Sequence, residues 1–278
     1  MGVSKAKRPI PILLPLLFPS SAAFLPSMGC GAPVEATRIE LPVVVSHETH
    51  RQATTNLGYD VELTGARAAL RDLQFAIAGE IHTASVIEQI SDLLVPVAYA
   101  HPGHFQAGDV TGELLGRFVI DWAREDSPLV GMATLITGTY TSANFTFDRG
   151  SEERGLTSND PLNTHTAILT GRATKDGTET EFTIIVDSPE NRQLIGAPFE
   201  TTLDETTTGQ LAMHLHLIDP IEQDTLLDDI DFEALDDDHD GLVVIEPETS
   251  AVEEAYNTFR RSFQTHDHFS IHYEETTP

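Results

Sequence analysis

Apolar and polar residues alternate with period two through most of the chain. The runs are RIELPVVV, YDVELTG, LRDLQFAIAG, GRFVIDWA, ATLITGTY, NFTFDRG, HTAILTGRA, EFTIIVDS, LAMHLHLI and, near the end, FSIHYEE. Successive side chains of a strand point to opposite faces, so each run reads as a strand with an apolar and a polar face. Turn formers separate the runs, and Lys175-Asp176-Gly177 marks the tightest hairpin. Short strands without long helices between them predict a mainly β fold, an antiparallel β-sandwich. Two segments switch to helical spacing. Val86, Ile87, Ile90, Leu93 and Leu94 predict a short helix or lid. Ala255, Tyr256, Phe259 and Phe263, preceded by the capping-box pair Ser250 and Glu253, predict another.

The first residues follow a different pattern. Lys5, Lys7 and Arg8 precede a proline-broken apolar run from Ile10 to Leu25, too short for a stable membrane span and suited to an export signal. It leads into SMGCGAP, in which Cys30 is the single cysteine of the chain and Gly29 precedes it. At these residues the sequence resembles a bacterial lipoprotein precursor. The resemblance implies that residues 1–29 are removed and that Cys30 is lipidated, which would hold the protein in the cell envelope by a membrane anchor, on the periplasmic or surface side. Ser27 and Met28 depart from the family's usual pattern, and cleavage by an ordinary signal peptidase near SSAAF is the competing reading. Either route exports the chain. One cysteine permits no intramolecular disulfide.

Charge narrows the range of partners. The formal net charge is −28, and residues 1–29 hold three cations and no acid, so without them it becomes −31. Nucleic acid and anionic lipid surfaces are therefore poor partners. Lys175 is the one lysine after the signal, and scattered acids with arginine preferred over lysine also suit a salty habitat. Acids point to chemistry only where their spacing suits a ligand. Residues 30–220 are expected to form the β-sandwich, with 221–278 supplying an acidic loop, a helix and a terminal strand packed on the same domain.

The acidic spacing appears in DFEALDDDHDGLVVIEP. Hard cations need several oxygens around one centre, and alternate aspartates before a glycine-permitted turn let a short loop curl its carboxylates inward. Asp236, Asp238 and Asp240 have this spacing, Gly241 offers the turn, Leu242 a backbone carbonyl and Val243 an apolar anchor. The stretch resembles an EF-hand calcium loop, with Phe232 and Leu235 where that family's entering helix packs its apolar residues. The resemblance implies a structural Ca²⁺ site. Its closing carboxylate would come from Glu246, because Pro247 occupies the family's glutamate position, between Glu246 and Glu248.

Histidines form the remaining pattern. Eight of the twelve occur as close pairs: His47/His50, His101/His104, His214/His216 and His266/His268. In LAMHLHLI, His214 and His216 share the face opposite Leu211, Met213, Leu215 and Leu217. In QTHDHFSIHYEE, His266, His268, Ser270, His272 and Glu274 share the face opposite Phe269, Ile271 and Tyr273. Neutral imidazole is a leading ligand for Zn and Cu. If these strands are neighbours, His214, His216, His266 and His268 are expected to surround one Zn²⁺ or Cu ion, and the turn in HPGH makes His101 and His104 a second candidate pair. The simpler reading is a polar strand face.

Enzyme signatures are missing: HETH lacks one residue of the H-E-x-x-H spacing, and neither G-x-S-x-G nor G-x-x-x-x-G-K-[ST] occurs. The sequence therefore points to a non-catalytic, exported metal-binding protein that binds or relays a transition metal, with a metal-accepting or envelope protein as its expected partner. A calcium-stabilised surface or adhesion module with incidental histidines is the alternative. A metal-dependent hydrolase would need three ligands and an open water position.

Overall fold

The longest strand organises the others. In the computed structural model, which describes residues 37–46, 51–77 and 109–275, β3 runs over Asp60–Ile77 and joins two of the alternating runs into one. The other strands among the described residues are β1 (Arg38–Val45), β2 (Gln52–Thr54), β4 (Asp109–Asp121), β5 (Leu129–Ile136), β6 (Gly138–Phe147), β7 (Ala167–Lys175), β8 (Thr178–Val186), β9 (Gln193–Leu203), β10 (Gln210–Leu215), β11 (Leu242–Ile245) and β12 (Phe269–Glu274). Two helices accompany them, α1 (Phe232–Leu235) and α2 (Glu253–Phe263). The helix expected around Val86–Leu94, the histidines at 47, 50, 101 and 104, and Cys30 with its signal lie outside the described residues.

Along one edge β3 pairs first with β7 and then with β6; along the other it pairs with β2 and then with β4. The network therefore branches at β3. One branch continues through β7 and β8 to β11, another through β6 to β9, and a third through β4, β5, β1 and β10 to β12. Register shifts at Leu63/Gly65, Arg71/Leu73 and Phe75/Ala76 interrupt its ladders. Such irregularities bend and twist a strand, which lets one strand serve diverging branches. The expected mainly β character is what forms. The strands are joined in one mixed network, because β1–β10 and β8–β11 pair in parallel while the other pairings are antiparallel.

The apolar faces meet in a core rich in aromatic rings. Phe269 lies 5.3 Å from Phe145, 5.5 Å from Phe263 and 6.0 Å from Trp122, centroid to centroid. α2 turns Tyr256, Phe259 and Phe263 inward at the expected spacing, and fully burying each such side chain contributes about 1.5–3 kcal/mol. Its start differs from expectation. Ser250–Val252 forms a 3-10 turn and Val252 occupies the N-cap position with no side-chain cap, so the Ser250/Glu253 capping box does not form. Glu253 and Glu254 in the first turn and Arg260 and Arg261 in the last suit the helix dipole instead.

Candidate metal centre

β10 and β12 are antiparallel neighbours, as the histidine hypothesis requires. Their register places His214 opposite Ser270 and Ala212 opposite His272, while Leu211, Met213 and Leu215 face the core with Phe269 and Ile271. The second face gathers three imidazoles. The His214 ring centroid lies 4.3 Å from that of His272 and 5.9 Å from that of His216, to which it is nearly parallel at 4°, and His216 and His272 are 6.4 Å apart. His214 is buried, His216 half-buried and His272 exposed. The Ser270 hydroxyl stands between two rings, 2.7 Å from His216 Nε2 and 3.1 Å from His272 Nε2. An ion about 2.0–2.1 Å from each nitrogen would take the place of that oxygen.

The composition of this cluster differs from the expected one. His272 joins His214 and His216, whereas His266 and His268 lie in the turn before β12. His266 Nδ1 pairs with Asp267 Oδ1 at 2.5 Å. His268 is buried, its carbonyl accepts from His216 N at 2.8 Å, and its Nδ1 meets the His216 carbonyl at 3.0 Å. Burial pushes the His268 imidazole below its ordinary value, against the backbone hydrogen bond to His216 and the charges of Asp224, Asp219 and Asp267. A neutral ring facing a carbonyl carries its proton on Nδ1. His268 thus fixes the backbone of His216.

The acidic loop begins with Asp231, whose side chain caps α1 by accepting from Ala234 N at 3.2 Å. Phe232 anchors it, stacked 5.0 Å from Phe182 and edge-on 5.3 Å from Tyr59. Tyr59 donates to Asp231 at 2.6 Å. That bond holds the Asp231 carboxyl below its usual range, while burial, followed by the same bond, pushes the Tyr59 phenol up to about 12. After one helical turn, ligand oxygens of Asp236, Asp238 and Asp240 lie within 4.8 Å of one another. Backbone amides reach all three: Asp236 accepts from Asp240 N and Gly241 N, each at 3.1 Å, Asp240 accepts from Leu242 N at 2.9 Å, and Asp238 accepts from Asp240 N at 3.3 Å. Gly241 has φ +80° and its carbonyl accepts from Glu181 N at 2.8 Å, which fastens the loop's end to β8. Val243 is buried as expected. Leu242 opens β11, and Glu246 follows its last residue, where it accepts from Thr249 at 3.1 Å and is not part of the convergent group.

A second convergent group, Asp219, Glu222 and Asp224, also has its oxygens within 4.8 Å, with Asp219 buried. Sequence reasoning missed it, although DPIEQD between LAMHLHLI and the acidic loop carries the spacing. Both groups have geometry that can hold a metal ion.

No protein-family model and no curated protein matches the chain. Among solved structures, MbnP from Methylosinus trichosporium is similar over 86% of this chain and 99% of its own, with 11% sequence identity and a TM-score of 0.33.

Proposed function

We propose that the protein is an exported metal-binding protein of the cell envelope that holds a Zn or Cu ion through His214, His216 and His272 and passes it to an accepting partner. Ca²⁺ at Asp236, Asp238 and Asp240 would be a structural ion. The meeting of His216 and His272, from neighbouring strands, at one serine hydroxyl, with the His214 ring packed beside both, carries the reading. The buried His214 and the exposed His272 suit a half-open site, which an ion can enter and leave through the outer ring. The basic and apolar N-terminus ending at Cys30 supports export and a lipid anchor.

The test is titration of tag-free, chelator-stripped protein with Zn²⁺ and with Cu⁺. One equivalent should bind. His214→Gln with His216→Gln, or His272→Gln alone, should weaken binding at least about tenfold while the circular dichroism spectrum is unchanged, since the apolar face of β10 is untouched. A parent that binds neither ion, or variants that bind as the parent does, would overturn the reading.

A further inference from the structure

Arg71 of β3 stands directly opposite Arg117 of β4 in the register. Like charges facing each other across a sheet are destabilising, so this pairing needs compensation. It comes from residues with unusual backbone. Asp72 lies in the register shift on both edges of β3, with φ +53°, and its carboxylate accepts from Arg71 Nη1 at 2.9 Å and from Gly116 N at 3.1 Å. Asn191, with φ +60°, accepts from Arg71 Nη2 at 2.6 Å. Two non-glycine residues thus hold left-handed backbone to aim one guanidinium. Strain of this kind persists only where its surroundings enforce it, and ligand clamps are a frequent place for it.

Two more guanidiniums stand beside the first. Arg117 is 61% exposed and its nearest carboxylate oxygen, on Asp148, is 3.5 Å away; Arg149 is 49% exposed, donates through Nη1 to the Thr164 carbonyl at 2.6 Å and lies 3.6 Å from Asp187. Asp148 has a closer partner in Arg154, at 2.8 Å. Arg71, Arg117 and Arg149 line a cleft of about 420 Å³ with Phe147 and Ser188 in its walls. Asp148 and Glu190 also line it, and with Asp72, Asp187 and Arg154 beside them the four guanidiniums meet four carboxylates, a local balance in a chain carrying −28.

We propose that this cleft binds a small oxyanion, a phosphate or carboxylate group gripped by the guanidinium forks of Arg117 and Arg149 over the pre-positioned Arg71. Planar arginine forks match such groups in bidentate fashion, and a cleft of balanced charge on an otherwise repelling surface is where an anion can approach. The site shares no residue with the histidine cluster or the acidic loops.

Calorimetric titration of the full chain, in calcium-free buffer at low salt, with inorganic phosphate and separately with succinate tests this. Saturable binding of at least one is expected. Arg117→Gln with Arg149→Gln should weaken it at least tenfold while Zn²⁺ or Cu⁺ titration and circular dichroism remain as in the parent. Tighter phosphate binding assigns a phosphoryl ligand, and tighter succinate binding a carboxylate ligand. Saturation by neither probe, or equal binding by a folded double variant, overturns the proposal.

Discussion

Asp238→Ala is expected to change stability with opposite sign according to whether calcium is present. In the calcium-free protein the three carboxylates of the loop lie within 4.8 Å of one another, so each ionised pair repels by at least about 0.9 kcal/mol even at the dielectric constant of water. Asp238 takes part in two of the three pairs. Its own contribution is small, a single contact of 3.3 Å from Asp240 N, which also reaches Asp236. Salt with a Debye length of about 8 Å removes nearly half of the repulsion, so the substitution should stabilise the calcium-free protein by about 1–2 kcal/mol. With calcium at one hundred times its dissociation constant, the parent gains about 2.7 kcal/mol that a variant lacking the ligand does not. For a domain of this size that is roughly 5–11 °C in melting temperature. Paired thermal melts in chelator and in calcium should therefore cross: variant above parent without calcium, parent above variant with it. A parent whose melt ignores calcium, or a variant destabilised in chelator, refutes the argument.

Phe263→Ala should cost about 3–5 kcal/mol in urea denaturation, because the ring is fully buried against Phe147, Phe259 and Phe269; a loss below about 1 kcal/mol would show that α2 is not part of the core. Asp160 accepts both ends of the Arg67 guanidinium, at 2.8 and 3.0 Å, and this bond holds its carboxyl below the usual range. A lowered folded value means that its stabilisation is present above the unfolded value of 3.8 and fades as pH falls through the folded one. Arg67→Gln should therefore flatten the acid limb of stability below about pH 4, measured by urea melts, and an unchanged limb would contradict the assignment.

Period-two alternation made most strands legible, since it reports directly which face is buried. It weakened where buried side chains are small: Ala66, Ala68 and Ala69 obscure the middle of β3, so one strand reads as two. β9 was hidden by Gly196, at φ +91°, and by Pro198, which the strand tolerates because it pairs with β6 alone among the described strands. At the histidine site the face was legible and the partner was not. Alternation placed His272 beside Ser270, but only register, fixed by Leu215 opposite Phe269, puts it within reach of His214. The arginine cleft was invisible in the sequence for the same reason. Arg71 and Arg117 are far apart in the chain and meet only through a register that two edges of β3 shift together.

The serine between the imidazoles sets the chemistry of the metal-free state. One hydroxyl has one proton to donate, yet Ser270 Oγ touches Nε2 of both His216 and His272. With one proton and two lone pairs the hydroxyl can donate to one ring at most, so at least one of the two Nε2 atoms carries its proton. An ion bound by both would need both lone pairs at once. Metal entry would therefore turn the hydroxyl aside and move a proton off at least one Nε2, to Nδ1 of that ring or to solvent. The protein side would suit such an exchange: His214 is held by burial, the backbone of His216 by His268, and His272 is exposed. A ring at the surface is what the proposed loading and release of an ion would use.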